Sequence, residues 1–321
     1  MQSHQQALNG ACFERLNSLD LRNYVVVIGS GPSRPYVAPV AKLQELLGEK
    51  CGVTLEENEE FWDLAERAHK SDSDAYYAVI EETYSKVTHG LSKAYQYLLS
   101  LPFQGFVTFN YDDQIPELCK LLRRTGPFSI YPPSPEPEEI SGAISVTQRT
   151  YAAPTDFTGS LRPVIAIHGC YSDQNPTWAK QVILKRGDYN AHYTTPHPYP
   201  LFDWWRDLLQ LSPCLFVGTS LREPGLMRVT QHLQVTDPDR LALMGHLHLV
   251  GEYSDSRSEY PLPKKSLGAV EQLLFDPIDG EFVGLTNILK ALDRTYNGPL
   301  DVGFPGPAPV VAAESFKFSL P

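Results

Sequence analysis

The chain has 321 residues, of which 42% are hydrophobic, and carries a net charge of -11 from 27 basic and 38 acidic side chains. That composition can build a packed core for one large domain or two small ones, and it excludes the broad basic surface that nucleic acid requires. No apolar run approaches the roughly 20 residues of a membrane span, and the polar opening residues lack the apolar core of a signal peptide. The expectation is a soluble, cytoplasmic protein with no membrane contact and no direct nucleic-acid binding.

The leading 22 residues have weak helical periodicity and predict a helix. Val25 to Ile28 form an unbroken β-branched and apolar run, as in a strand buried on both faces of a parallel sheet. The run ends in Gly29-Ser30-Gly31-Pro32-Ser33. Glycines after a first strand let the backbone approach a phosphate, so Gly29, Ser30, Gly31 and Ser33 are candidate cofactor-binding residues. Position 34 is Arg, so the full G-x-G-x-x-G pattern is absent, and a plain strand-to-helix turn is the competing reading. Residues from about 37 to 100 read as a helical insertion, with Tyr77, Ile80 and Tyr84 at helical spacing. Trp62 and the tyrosines there read as core or groove lining, and His69 and His89 receive no role.

A second strand is predicted over 105–109, running into Asn110-Tyr111-Asp112-Asp113. Ile115, Leu118, Cys119 and Leu122 then follow helical spacing. An Asp that caps this helix, with Pro116 in its first turn, accounts for the acid and the proline but not for Asn110. The acidic, proline-rich stretch 131–139 reads as a surface loop or flap, followed by a hairpin around 143–152. A third strand over 163–167 ends in His168-Gly169, where a buried histidine satisfied by backbone groups is the competing reading. Asp188 is expected to cap a helix that contains Tyr189. His192 and His197 lack a carboxylate or cysteine to complete a metal site, and that segment reads as a loop. Leu201 to Leu211 form an amphipathic helix with Trp204, Trp205, Leu208 and Leu209 on its apolar side.

A fourth strand over 213–217 ends in Gly218-Thr219-Ser220, whose hydroxyls suit ribose or phosphate oxygens. A fifth, 245–251, carries His246 and His248; a short strand at 271–275 and a last helix through Leu285, Ile288, Leu289 and Leu292 complete the pattern. The fold class expected is α/β, a Rossmann-like parallel sheet with helices on both faces plus the helical insertion. Residues 1–296 make one catalytic domain and 297–321 an extended proline-rich arm. The cysteines Cys12, Cys51, Cys119, Cys170 and Cys214 are odd in number with no Cys-x-x-Cys pair, which predicts core fillers rather than disulfides or a zinc ribbon.

In this order, four strand ends resemble the sirtuin superfamily: Gly29-Ser-Gly-Pro-Ser33, Thr108-Phe-Asn-Tyr-Asp112, His168-Gly169 and Gly218-Thr-Ser-Leu221. Sirtuin deacylases carry a four-cysteine zinc module after the His-Gly pair, whereas here only Cys170 and Cys214 follow His168. The chain is therefore more similar to the zinc-free, sirtuin-like NAD hydrolases of bacterial antiphage defence. These include the Thoeris effector and the partners of short Argonautes or HerA-type ATPases, many with a downstream Asp-Tyr like Asp188-Tyr189.

The resemblance implies cleavage of NAD, as substrate and without metal, to nicotinamide and ADP-ribose. Asn110, Asp112 and His168 would be catalytic; Gly29, Ser30, Gly31 and Ser33 would hold the pyrophosphate, and Gly218, Thr219 and Ser220 the adenosine side. It also implies a homo-oligomer, activated by assembly or by a defence partner such as a HerA-like ATPase or a short Argonaute. The competing functions are a zinc-free deacylase or ADP-ribosyltransferase, and a sensor subunit that binds NAD or ADP-ribose without turnover.

Overall fold

The computed structural model describes residues 2–33, 37, 40–56, 59–84, 92–115, 118, 128–131, 139–140, 143–144, 162–171, 182–193, 200–221, 223–251, 270–276 and 282–297. In chain order its elements begin with α1 (Gln2–Asn17), β1 (Val25–Ile28), α2 (Val40–Cys51), α3 (Phe61–Ser71), α4 (Ser73–Tyr84) and α5 (Lys93–Ser100). There follow β2 (Gly105–Thr108), β3 (Phe128–Tyr131), β4 (Glu139–Ile140), β5 (Ala143–Ile144), β6 (Arg162–Ala166), α6 (Arg186–Tyr193) and α7 (Leu201–Leu211). The chain continues through β7 (Cys214–Val217), α8 (Pro224–Thr236), α9 (Pro238–Leu243), β8 (His246–Gly251), β9 (Val270–Phe275) and α10 (Val283–Asn297).

One seven-stranded sheet has the order β3-β6-β2-β1-β7-β8-β9, and every neighbouring pair is parallel. Its strands β1 and β7 are apolar at every position because both faces are covered. Val26, Ile28, Phe106, Leu215 and Val217 face a core shared with α1, α5 and α10 through Leu16, Leu98 and Leu289. Val25, Val27, Val107 and Phe216 point the other way, onto Trp204, Trp205, Leu208 and Val229 of α7 and α8. This is the Rossmann-like α/β architecture. Helix α7 holds its place because Leu201, Trp204, Trp205, Leu208 and Leu209 form one stripe at i, i+3, i+4, i+7 and i+8, all buried. Each such side chain contributes roughly 1.5–3 kcal/mol on leaving water.

Helices α2, α3 and α4 build a third core from Leu43, Leu47, Ala65, Ala68, Val79 and Ile80, which meets the sheet body at Tyr111, Tyr171 and Leu184. Arg186 of α6 clasps this unit, with Nε and Nη2 each 2.8 Å from the Asp63 carboxylate and Nη2 also on Glu60. At the far edge of the sheet, Arg15 of α1 makes a two-pronged bond to Glu271 of β9, at 3.1 and 2.8 Å.

The structure adds an edge strand, β3, that the sequence pattern does not announce. Its only sheet neighbour among the described residues is β6, and as an edge it needs half the backbone pairing of a central strand. A short antiparallel pair, β4–β5, spans Glu139 to Ile144, and of the hairpin expected around 143–152 only Ala143 and Ile144 are among the described residues. Residues 145–152, the bulk of the proline-rich loop at 132–138, the arm beyond 297, and Pro116, Cys119, His89 and His197 lie outside the described residues. Cys12, Cys51, Cys170 and Cys214 are buried, and each is a thiol rather than half of a disulfide. Among the described residues no helix is long and apolar enough to cross a membrane.

The chain passes from β1 to β2 on one side of β1 and later to β7 on the other. The connections leaving the carboxyl ends of β1 and β7 therefore diverge. A crevice opens there, where open parallel sheets bind their ligands.

Candidate active site

The strands β1 and β7 stop in register, Ile28 beside Val217. The Gly29 N–H then bonds Val217 O at 2.9 Å, and the Gly31 N–H bonds Gly218 O at 2.9 Å. A Cβ on Gly29 would lie 2.5 Å from Gly218 O, and Gly218 itself has φ +65°. Both glycines are needed for the two loops to touch. Gly29, Ser30, Gly218, Thr219 and Ser220 line the resulting cleft. Gly31 and Ser33 are placed behind it: the Gly31 N–H is taken by Gly218, and the buried Ser33 hydroxyl donates to Ser30 O at 2.7 Å.

Beyond β2, the Asn110 N–H bonds Thr108 Oγ1 at 3.0 Å, turning its side chain inward. Asn110 Nδ2 donates to Tyr95 Oη at 2.8 Å, and Tyr95 Oη donates to Gly29 O at 3.0 Å. This relay ties Asn110 to the β1 loop and leaves its buried Oδ1 without a partner among the described residues. An orphaned buried acceptor in a cleft calls for an O–H or N–H donor on a ligand. Asp112 has two placements at once. Its Oδ1 accepts the Gln114 N–H at 3.1 Å, as a local cap does, and it lines the cleft at 3% exposure.

Burial pushes the Asp112 carboxyl up to about 6, against backbone bonds that lower it. A carboxyl raised above its unfolded value favours the fold at low pH and loses that contribution as pH rises through about 6. Asp112→Asn keeps an oxygen for Gln114. It is expected to raise stability by on the order of 1–3 kcal/mol at alkaline pH and by much less in acid. Denaturant melts at the two pH values check this; equal effects at both would show that Asp112 is not held at a cost.

His168 follows the end of β6. Gly169, at φ +75°, reverses the chain, and the Ile183 N–H grips His168 O at 2.8 Å. The imidazole is 1% exposed, among Phe109, Trp62, Tyr189 and Tyr193 at ring separations of 5.4 to 6.2 Å. Its Nε2 lies 3.1 Å from Tyr193 Oη and 3.6 Å from Glu223 Oε1. Burial, and secondarily the charge of His192, push its pKa down to about 3, so the ring is neutral at neutral pH and takes a proton only where a nearby anion offsets the burial of the imidazolium.

Glu223, Tyr189 and Tyr193 complete this cluster, and the sequence pattern does not single them out as site residues. Glu223 precedes Pro224-Gly225 and caps α8 by accepting the Leu226 N–H, so in the sequence it reads as a helix start. It also accepts the Tyr189 hydroxyl, whose oxygen takes the Gly225 N–H. Burial pushes the Glu223 carboxyl up to about 7. Asp188 is not the helix cap expected of it: α6 already begins at Arg186, and Asp188 sits in its first turn, 3.4 Å from Lys185. His246 and His248 are buried supports. The Cys214 N–H donates to His246 Nδ1 at 3.0 Å, and His248 Nε2 donates to Thr219 O at 2.9 Å, under the β7 loop.

The cleft encloses about 280 Å³. Loop backbone and hydroxyls form one end, and Asn110, Asp112, His168 and Glu223 the other. Phe61 and Trp62 of α3 and Tyr84 of α4 wall it from the insertion. An apolar wall with a few convergent polar groups is the usual form of a small-molecule site. Among the described residues no cluster of His, Cys, Asp or Glu is arranged to hold a metal ion.

The chain resembles a solved structure described as a Sir2 homolog–NAD complex, with a TM-score of 0.44 and 12% identity over 89% of this chain and 94% of that one. A comparison with curated proteins gives no match. The model of the SIR2-like domain matches residues 104–267, which hold the Asn110, Asp112, His168 and Gly218-to-Ser220 segments. That match spans just over half of the 321 residues, and the chain belongs to the SIR2-like domain family.

Proposed function

We propose that this protein is an NAD glycohydrolase, cleaving NAD to nicotinamide and ADP-ribose, and that it acts in bacterial antiphage defence by depleting NAD. The observation that carries the reading is one cleft, in a SIR2-like chain, that joins a neutral buried His168 and an unsatisfied Asn110 acceptor to two glycine-lined strand ends. The Sir2 homolog named above was solved with NAD. The bond to nicotinamide breaks through an oxocarbenium-like state, which needs orientation and nearby dipoles more than covalent help.

Gly29 and Ser30 face the pyrophosphate, with Gly31 and Ser33 shaping that loop from behind. Thr219 and Ser220 take the adenosine ribose. Asn110 Oδ1 accepts from the nicotinamide ribose or the attacking water, and Asp112, ionised above about pH 6, accepts from the nicotinamide carboxamide. His168 is the base, a contribution of about 10²–10⁴ in rate. The aromatic wall of Phe61, Trp62 and Tyr84 keeps bulk water from the reacting carbon.

Purified protein, over a range of concentrations and with lysate from phage-infected cells, is expected to convert NAD to free nicotinamide and ADP-ribose. A steep dependence on protein concentration is the expected mark of activation by assembly into a homo-oligomer. A lysate requirement would indicate a partner of the HerA or short-Argonaute kind. Acyl or ADP-ribosyl transfer to protein would replace hydrolysis with a zinc-free deacylase or ADP-ribosyltransferase. NAD bound without turnover under every condition would make the chain a sensor.

A further inference from the structure

His168 and Glu223 reach the cleft from different elements, the end of β6 and the start of α8. Tyr189 and Tyr193, one turn apart on α6 and stacked at 4.3 Å, stand beside both. Glu223 divides its carboxylate. One oxygen, Oε2, accepts the Leu226 N–H of the helix start; the other, Oε1, accepts the Tyr189 hydroxyl and lies 3.6 Å from His168 Nε2. A cap needs only the first of these, and short side chains serve it best. Capping does not account for a side chain 8% exposed whose second oxygen faces an imidazole.

The Glu223 carboxylate, 3.6 Å from Nε2, favours the ring proton on that nitrogen. Tyr193 Oη accepts Trp205 Nε1–H at 3.3 Å and has a second lone pair for His168 Nε2–H at 3.1 Å. The ring's hydrogen bond to Tyr193 runs through Nε2, the nitrogen that also faces Glu223.

We propose that Glu223 is a positioning residue for His168: with Tyr189 and Tyr193 it holds the imidazole proton on Nε2, leaves Nδ1 as the base, and balances the imidazolium that forms. The proposal rests on the hydrolase reading and deepens it. As Nδ1 takes a proton from the attacking water, the water oxygen bonds to the anomeric carbon. The electron pair of the carbon–nitrogen bond leaves with nicotinamide, which departs neutral. A lone imidazolium in so buried a place is strongly disfavoured, and an anionic Glu223 beside it offsets that cost. The proton passes to solvent when the products leave.

His168, Tyr111, Tyr189 and Tyr193 face Glu223, with Asp188 and His192 further along α6. Arg228 on its own helix favours the anion, while burial, the larger effect, holds the carboxyl near 7. The working anion is therefore present above that pH and lost below it.

The test joins two measurements over about pH 5–9. One is NAD hydrolysis. The other is NMR titration of the His168 ring in histidine-labelled protein, assigned by its loss in His168→Ala. Wild type is expected to gain activity through an apparent pKa near 7. Glu223→Gln, which keeps an oxygen for the Leu226 N–H, should lower kcat by about 100-fold, retain NAD affinity and flatten that rise. Tyr189→Phe removes a donor from the carboxylate and should move the rise to higher pH. Wild-type kcat and pH profile in Glu223→Gln would overturn the proposal. Should wild type not cleave NAD, the hydrolase reading falls and the titration decides. A His168 step near pH 7 that vanishes in Glu223→Gln upholds the pairing; a step unchanged in the variant overturns it.

Discussion

His168→Ala is expected to reduce NAD cleavage by about 10²–10⁴ while the protein still folds and binds NAD. The ring's contacts are local: Nε2 to Tyr193 and Glu223, a stacked Tyr111, and the tilted and edge-on rings of Phe109 and Trp62. The loops at Gly29 and Gly218 join each other and not His168, so the phosphate end survives the truncation. Asn110→Ala should lose activity in parallel, and because Asn110 Nδ2 bonds Tyr95, which bonds Gly29 O, it should also weaken NAD binding. Turnover and NAD affinity of each variant, measured on protein with wild-type circular dichroism, separate the two effects. A His168→Ala protein that binds NAD and cleaves it at the wild-type rate would remove His168 from the mechanism.

Gly218→Ala is the most disruptive small change the site offers. An added methyl would lie 2.0 Å from Pro32 Cδ, at a residue with φ +65°. The left-handed backbone costs a non-glycine residue roughly 1–2 kcal/mol, and forcing a methyl into a filled space adds typically about 1–3 kcal/mol. Pro32 is a rigid ring, buried beneath the loop, with its carbonyl held by the Ser92 hydroxyl at 2.6 Å. It cannot swing aside, so the two loops must part. The expected result is a protein destabilised by about 3 kcal/mol that no longer binds NAD. Denaturant midpoints and NAD titration check it; unchanged affinity would mean that the β1–β7 junction does not form the phosphate end.

Strand runs such as Val25 to Ile28 and Cys214 to Val217 are legible because burial on both faces leaves an unbroken apolar signature. Their polar ends are equally legible, because a parallel sheet sends every carboxyl end to one edge; Gly29, Asn110, His168 and Gly218 meet in one cleft for that reason. The insertion and helix α7 are readable from their apolar stripes. What stays hidden depends on contacts distant in sequence or on one residue serving two purposes. Glu223 looks like a cap and is one, and only the fold brings Tyr189 and His168 to its other oxygen. Ser33 looks like part of a phosphate loop, but the short helical turn of Gly31–Ser33 rotates its hydroxyl back onto Ser30. The edge strand β3 needs pairing on one side only, and so carries a weaker pattern than its neighbours.

The placing of β1 at the middle of the sheet also sets when the cleft can be completed during synthesis. Val25 pairs with Gly105 on one side and with Cys214 on the other, so the earliest strand to leave the ribosome waits longest for its second partner. The helices α2 to α4, which share a core of their own, can collapse meanwhile, because their contacts are close in sequence. Closure of the sheet must await β7. The cleft draws on the ends of β1, β2, β6 and β7 and on the first residues of α8, so no nascent fragment short of Glu223 contains the complete constellation. The complete site is thereby withheld until about two-thirds of the chain has been translated.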